Sequence, residues 1–234
     1  MASLSSRQDV TVTSSEVASL FNLIRAWGSG EQDGIMDRID GQLRTIAQRE
    51  NTTKGGVLAR VEDVDGLTLL HVAAQYGKDS VLDYYFRDGV FIFENGLRAS
   101  QLNRRTKSLD GPIHMAARIG QTEFIKALVS RGVSVNSKGA FGATALHLAA
   151  LEKNDALVKG LIEMGANLNA QTMSGQTALH IAAQNDDVAT AILLLDNGAN
   201  ADMRNAGDLK PGVVARGIAN SRVYQLFLDR GLPC

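Results

Sequence analysis

Four histidines carry most of the chain's visible capacity for acid–base or metal chemistry. They are His71, His114, His147 and His180, and each lies in a similar phrase: "LTLLHVAA" (67–74), "GPIHMAA" (111–117), "ATALHLAA" (143–150) and "QTALHIAA" (176–183). Imidazole titrates near neutral pH and is a common metal ligand. Four matched settings therefore raise two readings, a ligand or catalytic set and a repeated structural part. A metal set requires side chains that converge on one ion within bonding distance. The single cysteine, Cys234, is the last residue, so no internal thiolate is available to join them and no intramolecular disulfide is possible. "GSGEQDG" (28–34) lacks the spacing of a dinucleotide loop, and the glycine–lysine–serine/threonine ending of a nucleotide loop does not occur. No cofactor is expected, and the sequence points to no catalytic residue. A dispersed acid–base pair would leave no motif and stays open as the enzyme alternative.

The spacing decides between the two readings of histidine. His114, His147 and His180 follow one another at intervals of 33 residues, and the next step reaches Val213 in "KPGVVARG", where the histidine is lost. His71 precedes His114 by 43 residues, so one copy holds about ten extra, within about 90–110. A glycine stands 18 residues after each of the five anchors: Gly89, Gly132, Gly165, Gly198 and Gly231. A fixed period of this length marks a repeat architecture.

One period can be read chemically in "GATALHLAALEKNDALVKGLIEMGANLNAQT" (142–172). Thr144 is placed to cap a helix start, its hydroxyl accepting an unpaired backbone N–H. Leu146, Ala149 and Ala150 predict a short helix whose small face lets neighbours approach. Leu157, Val158, Leu161 and Ile162 follow at helical spacing and predict a second helix, ended by Gly165. The corresponding pairs elsewhere are Tyr85/Phe86, Leu128/Val129, Leu194/Leu195 and Phe227/Leu228. Each unit is thus two antiparallel helices and an extended loop, and it buries its faces only by stacking on neighbours.

The phrases "TALHLAA" and "TALHIAA", the 33-residue period and the "GANLNAQ" and "GANADMR" runs after the helix-ending glycine resemble ankyrin repeats. The resemblance covers about residues 55–234, with a half-match at "GVLARVEDVDG" (56–66). It implies an all-α solenoid of about five stacked helix–turn–helix–loop units, the last degenerate and acting as a carboxyl-terminal cap. It also implies that the histidine ties the helix start to neighbouring backbone and to the threonine hydroxyl. Equivalent positions on packed helices lie about 8–10 Å apart, so four histidines in a stack form a row and not a cage. The chain departs from the pattern at Gly111, which replaces threonine, and at Lys153 and Asp186, which replace the mid-repeat glycine.

The first sixty residues read differently. Residues 1–12 are expected to be a disordered tail. "TSSE" (13–16) is a capping-box signature, followed by Val17, Leu20, Phe21, Ile24 and Trp27 on one face until "GSG". Ile35, Met36, Ile39, Leu43, Ile46 and Ala47 form a second amphipathic segment. Residues 13–54 are therefore expected to be a helical cap over the first repeat at 55 onward, with an independent binding element anchored by Trp27 as the alternative.

A stack of such units offers an inner, concave surface made of first helices and loop tips. Positions there vary between copies while the framework recurs. The candidates for partner contact are Tyr76, Arg118, Ile119, Leu151, Glu152, Gln184 and Asn185 on the first helices, with Phe141 and Met173 on the loop tips. Local packing of Phe141 against its own loop is the other reading. Arg98, Arg104, Arg105 and Lys107 gather in and after the insertion, either to meet an acidic or phosphorylated segment or to face water.

With 24 basic and 25 acidic residues, the net charge argues against a nucleic-acid partner. No apolar run is long enough for a membrane span, and the polar amino terminus lacks a secretory signal. The expected role, implied by the resemblance, is a non-catalytic, monomeric adaptor that binds a protein in the cytoplasm. The alternative is a regulatory subunit or secreted bacterial effector that inhibits or recruits a host enzyme in the host cytoplasm.

Overall fold

A computed structural model of the chain describes residues 12–26, 34–50, 57, 61–78, 81 and 102–234. Trp27, the side chain of Met36, Tyr85, Phe86, Gly89, the apolar run at 90–93 and Arg98 lie outside the described residues, as does most of the amino-terminal tail. The described residues form eleven α-helices: α1 (Ser14–Ala26), α2 (Ile35–Arg49), α3 (Leu69–Tyr76), α4 (Pro112–Ile119), α5 (Thr122–Ser130), α6 (Ala145–Leu151), α7 (Asp155–Glu163), α8 (Ala178–Gln184), α9 (Val188–Asp196), α10 (Pro211–Arg216) and α11 (Arg222–Asp229). Among them there is no named strand, and one isolated antiparallel bridge joins Glu62 and Thr68.

The helices stack in rows. α3, α4, α6, α8 and α10 pack successively to form the inner row, and α7, α9 and α11 form part of the outer row. The hairpins α4/α5, α6/α7, α8/α9 and α10/α11 connect the two. Close approach in the inner row follows from the paired alanines Ala73/Ala74, Ala116/Ala117, Ala149/Ala150 and Ala182/Ala183, all fully buried. Between the rows sit Leu128, Leu157, Leu161, Leu194 and Phe227, each without solvent exposure. Burying one such side chain stabilises the fold by roughly 1.5–3 kcal/mol.

The second member of each apolar pair is less covered. Val129, Ile162 and Leu195 are half-buried, and Leu228 is exposed. Leu228 lies on α11, the last helix of the described residues.

Two departures from the repeat pattern find their physical reason here. Lys153 (φ 53°) and Asp186 (φ 49°) keep the left-handed backbone that the turn between paired helices requires. Their side chains reach the next unit: Lys153 Nζ donates to the Asn185 carbonyl at 2.9 Å, and Asp186 Oδ1 accepts from Ser221 Oγ at 2.8 Å and Val223 N–H at 2.9 Å.

At the amino end α1 packs on α3 and on α2, so α1 takes the place that a preceding inner helix would hold. Val17, Leu20, Phe21 and Ile24 of α1 and Ile35, Ile39, Leu43 and Ile46 of α2 are buried. The Thr13 hydroxyl accepts from Glu16 N–H at 3.3 Å, and the Glu16 carboxylate accepts from Thr13 N–H at 2.9 Å. Arg49 of α2 then clamps the same carboxylate at 2.6 Å.

Candidate protein-binding surface

The histidines are the joints that set this surface. In each copy the Nδ1 atom accepts the backbone N–H of the residue three positions earlier: Thr68, Gly111 and Thr144 at 3.1 Å and Thr177 at 3.2 Å. That donor has no alternative role, so Nδ1 carries no proton and the ring is the neutral tautomer protonated on Nε2. Nε2–H then donates to a carbonyl in the loop of the next unit: Asp110 at 3.2 Å, Ser137 at 2.9 Å, Gln176 at 3.0 Å and Leu209 at 2.9 Å. Both ring nitrogens are thereby engaged. Burial pushes all four histidines below their ordinary pKa, His71 to about 4. Among the described residues no three histidine, cysteine or carboxylate side chains gather as a metal-binding group.

Thr144 takes part in a capping box with His147, and its Oγ1 lies 2.9 Å from His147 Nδ1, the tie between ring and hydroxyl that the resemblance implies. The ring satisfies the helix start, and the hydroxyl completes the ring's bonding. Thr68 and Thr177 make the same bond at 2.8 Å, and Thr177 also accepts from His180 N–H at 3.4 Å. Gly111 lacks the hydroxyl, yet its N–H still reaches His114, so the joint survives the substitution.

The loops preceding the inner helices project as fingers, fixed to one another by hydrogen bonds between adjacent units. Lys107 N–H donates to the Asp65 carbonyl at 2.8 Å, Met173 N–H to Phe141 at 2.8 Å, and Ala206 N–H to Ser174 at 2.9 Å. At the remaining junction a side chain substitutes for the carbonyl: Asp110 Oδ1 accepts from Ala140 N–H at 2.9 Å. The other oxygen of Asp110 receives Arg118 at 3.1 Å, and its carbonyl receives His71. Asp110 is buried and connects three units. Sequence reading did not single it out, because the equivalent residues Leu67, Ala143, Gln176 and Leu209 share no chemistry with it.

Tyr76 and Ile119 end their inner helices exposed, and Leu151 does the same on α6. Arg118, Glu152 and Gln184 are exposed, and Asn185 is half-buried. Phe141 is 79% exposed and Met173 75%, so neither folds back on its own loop. Phe141 also has φ 53° and ψ 21°, a conformation that favours glycine. Beside the first two fingers a groove of about 570 Å³ is floored by Leu67 and Met115 and edged by Lys107, Asp110 and Arg118.

The basic cluster is less concentrated than its sequence suggested. Arg104 is paired with Glu62 and Arg118 with Asp110, while Arg105 and Lys107 are exposed. Leu109 is a further exposed apolar residue, and it was missed. It occupies the fingertip position held by Gly66, Gly142 and Gly175 in other units, and the 43-residue offset hid that correspondence.

The family model described as ankyrin repeats (3 copies) matches the chain over residues 87–172 and 113–205. The chain belongs to the ankyrin-repeat family, and its fold is the all-α repeat solenoid of that family. Ankyrin repeats are in general protein–protein interaction modules and typically non-catalytic. A comparison with curated proteins finds none that matches. No helix among the described residues is long and apolar enough to cross a membrane.

Proposed function

We propose that this protein is a non-catalytic adaptor that recognises a protein partner through its concave side. The inner-helix ends Tyr76, Arg118, Ile119, Leu151, Glu152, Gln184 and Asn185 make the floor of that contact, and the fingertips Phe141 and Met173 supply the apolar anchors. The carrying observation is Phe141, an aromatic side chain left in solvent on a backbone that glycine would occupy with less strain. Such strain persists at sites where something other than folding is served, and exposed aromatics are enriched among interface anchors. Mixed charge around an apolar centre also suits a protein interface. The single cysteine suits a reducing compartment such as the cytoplasm.

The test begins with cross-linking in cell lysate and identification of the captured partner, followed by titration of the purified pair. Phe141→Ala is expected to leave the circular dichroism spectrum and melting temperature nearly unchanged and to weaken the partner at least ten-fold. An affinity equal to wild type refutes the reading.

A further inference from the structure

The tip of each of the first four fingers carries one large apolar side chain in solvent: Val64 (77% exposed), Leu109 (48%), Phe141 and Met173. The fifth tip, Ala206–Gly207–Asp208, carries none, and the exposed apolar residue of that finger, Leu209 (42%), stands one position past it. Two of the four, Leu109 (φ 69°) and Phe141, sit on left-handed backbone. At Leu109 the neighbouring units use glycine, so the fold gains nothing from leucine there. The hydrogen bonds between fingers hold the four tips in one row.

The row has a spacing and a charge order. Stacked helices lie at most about 10 Å apart, so four tips span roughly 30 Å. Seven residues of α-helix rise about 10.5 Å, close to one step of the row. An extended chain would need three residues per step and would turn alternate contacts away from the tips, because its side chains alternate in direction. Beside the first tip Asp65 is exposed, and beside the second Lys107 is exposed; neither makes an ion pair among the described residues. From the third tip onward the neighbours are uncharged: Ala140, Gly142, Ser174 and Gly175.

From this we infer that the fingertip row seats an amphipathic α-helix of the partner, running along the stack with an apolar residue at every seventh position. A basic side chain on that helix meets Asp65, and an acidic one a heptad further along meets Lys107. The inference rests on the reading of this side of the molecule as the partner surface and adds what kind of segment occupies it.

The probe is a synthetic 28-residue alanine-rich helix with one leucine per heptad, lysine beside the first leucine and glutamate beside the second. One leucine per heptad is too few for the two-position seam of a coiled coil, so the peptide stays monomeric. Fluorescence anisotropy with the full chain is expected to show saturable binding, at least ten-fold weaker for a control with leucines nine residues apart. Leu109→Gly and Phe141→Gly are each expected to lower the affinity five-fold or more while leaving the melting temperature unchanged or raised. Lys107→Glu is expected to weaken the peptide, and exchange of its glutamate for lysine to restore binding. Absence of binding, equal affinity for the misspaced control, or indifference to both glycine variants overturns the inference. So does sedimentation with vesicles of anionic phospholipid in place of peptide binding, which would mark the row as a membrane contact. If the peptide fails while Ile119→Ala and Leu151→Ala still weaken the captured partner, the helix seat falls and the adaptor reading stands.

Discussion

Lowering the pH should dismantle this molecule from its histidine joints, and at a pH where most carboxylates are still ionised. His71 is fully buried and neutral, its pKa held near 4 chiefly by burial, against 6.5 in its ordinary state. Above pH 6.5 neither the folded nor the unfolded chain protonates it, and its contribution to stability is complete. As the pH falls below 6.5 the unfolded chain takes up the proton and the folded chain does not, so stability declines until the folded group titrates near 4. For His71 alone this amounts to about 2 kcal/mol at pH 5 and about 3 kcal/mol near pH 4. His114, His147 and His180 are lowered for the same reason, so they act in the same direction. The slope below pH 6.5 is therefore steeper than His71 alone would give. Urea unfolding followed by circular dichroism at pH 7.5, 6.5, 5.5 and 5.0 measures it. Glu16 is held to about 2 by Arg49 and by Thr13 N–H, so its loss belongs to the window from about 4.5 downward. An unfolding free energy that stays level or rises between pH 7.5 and 5.0 refutes the neutral-joint account.

Truncating Leu161 to alanine should cost about 2–5 kcal/mol, because the side chain is fully buried between the helix rows; an unfolding midpoint equal to wild type in urea would contradict it. Gly139→Ala should destabilise by about 1–3 kcal/mol, since a Cβ there would lie 2.5 Å from Asp110 Oδ1 and 2.7 Å from the His114 ring. Thermal melts read this effect, and an unchanged melting temperature argues against the close approach. Asp110→Ala removes the acceptor for Ala140 N–H and the partner of Arg118, with an expected cost of about 1–3 kcal/mol. Its amide hydrogen exchange should quicken first at Ala140, and protection equal to wild type there would count against Asp110 as the joint.

The repeat was legible because its evidence is local and recurs: a histidine phrase, two apolar stripes and a closing glycine at one spacing. The amino-terminal helices were legible too, since their capping residues and apolar faces are written within a few turns. What escaped depended on contacts between units. Asp110 acts across three units, and nothing in its neighbours along the chain announces that. Leu109 was hidden by the insertion that displaced it from the glycine positions of the other fingers. Leu228 was paired with a buried phenylalanine by pattern, yet it is exposed.

The claim at the centre is that the working part of this protein is the concave, finger-bearing side of the stack. Titration calorimetry of the captured partner against three proteins tests it: wild type, Phe141→Ala and Lys159→Ala, the last an exposed residue on the outer helix α7. The account predicts at least a ten-fold loss for Phe141→Ala and wild-type affinity for Lys159→Ala. Full affinity for Phe141→Ala with a loss for Lys159→Ala would contradict it and place recognition on the opposite side.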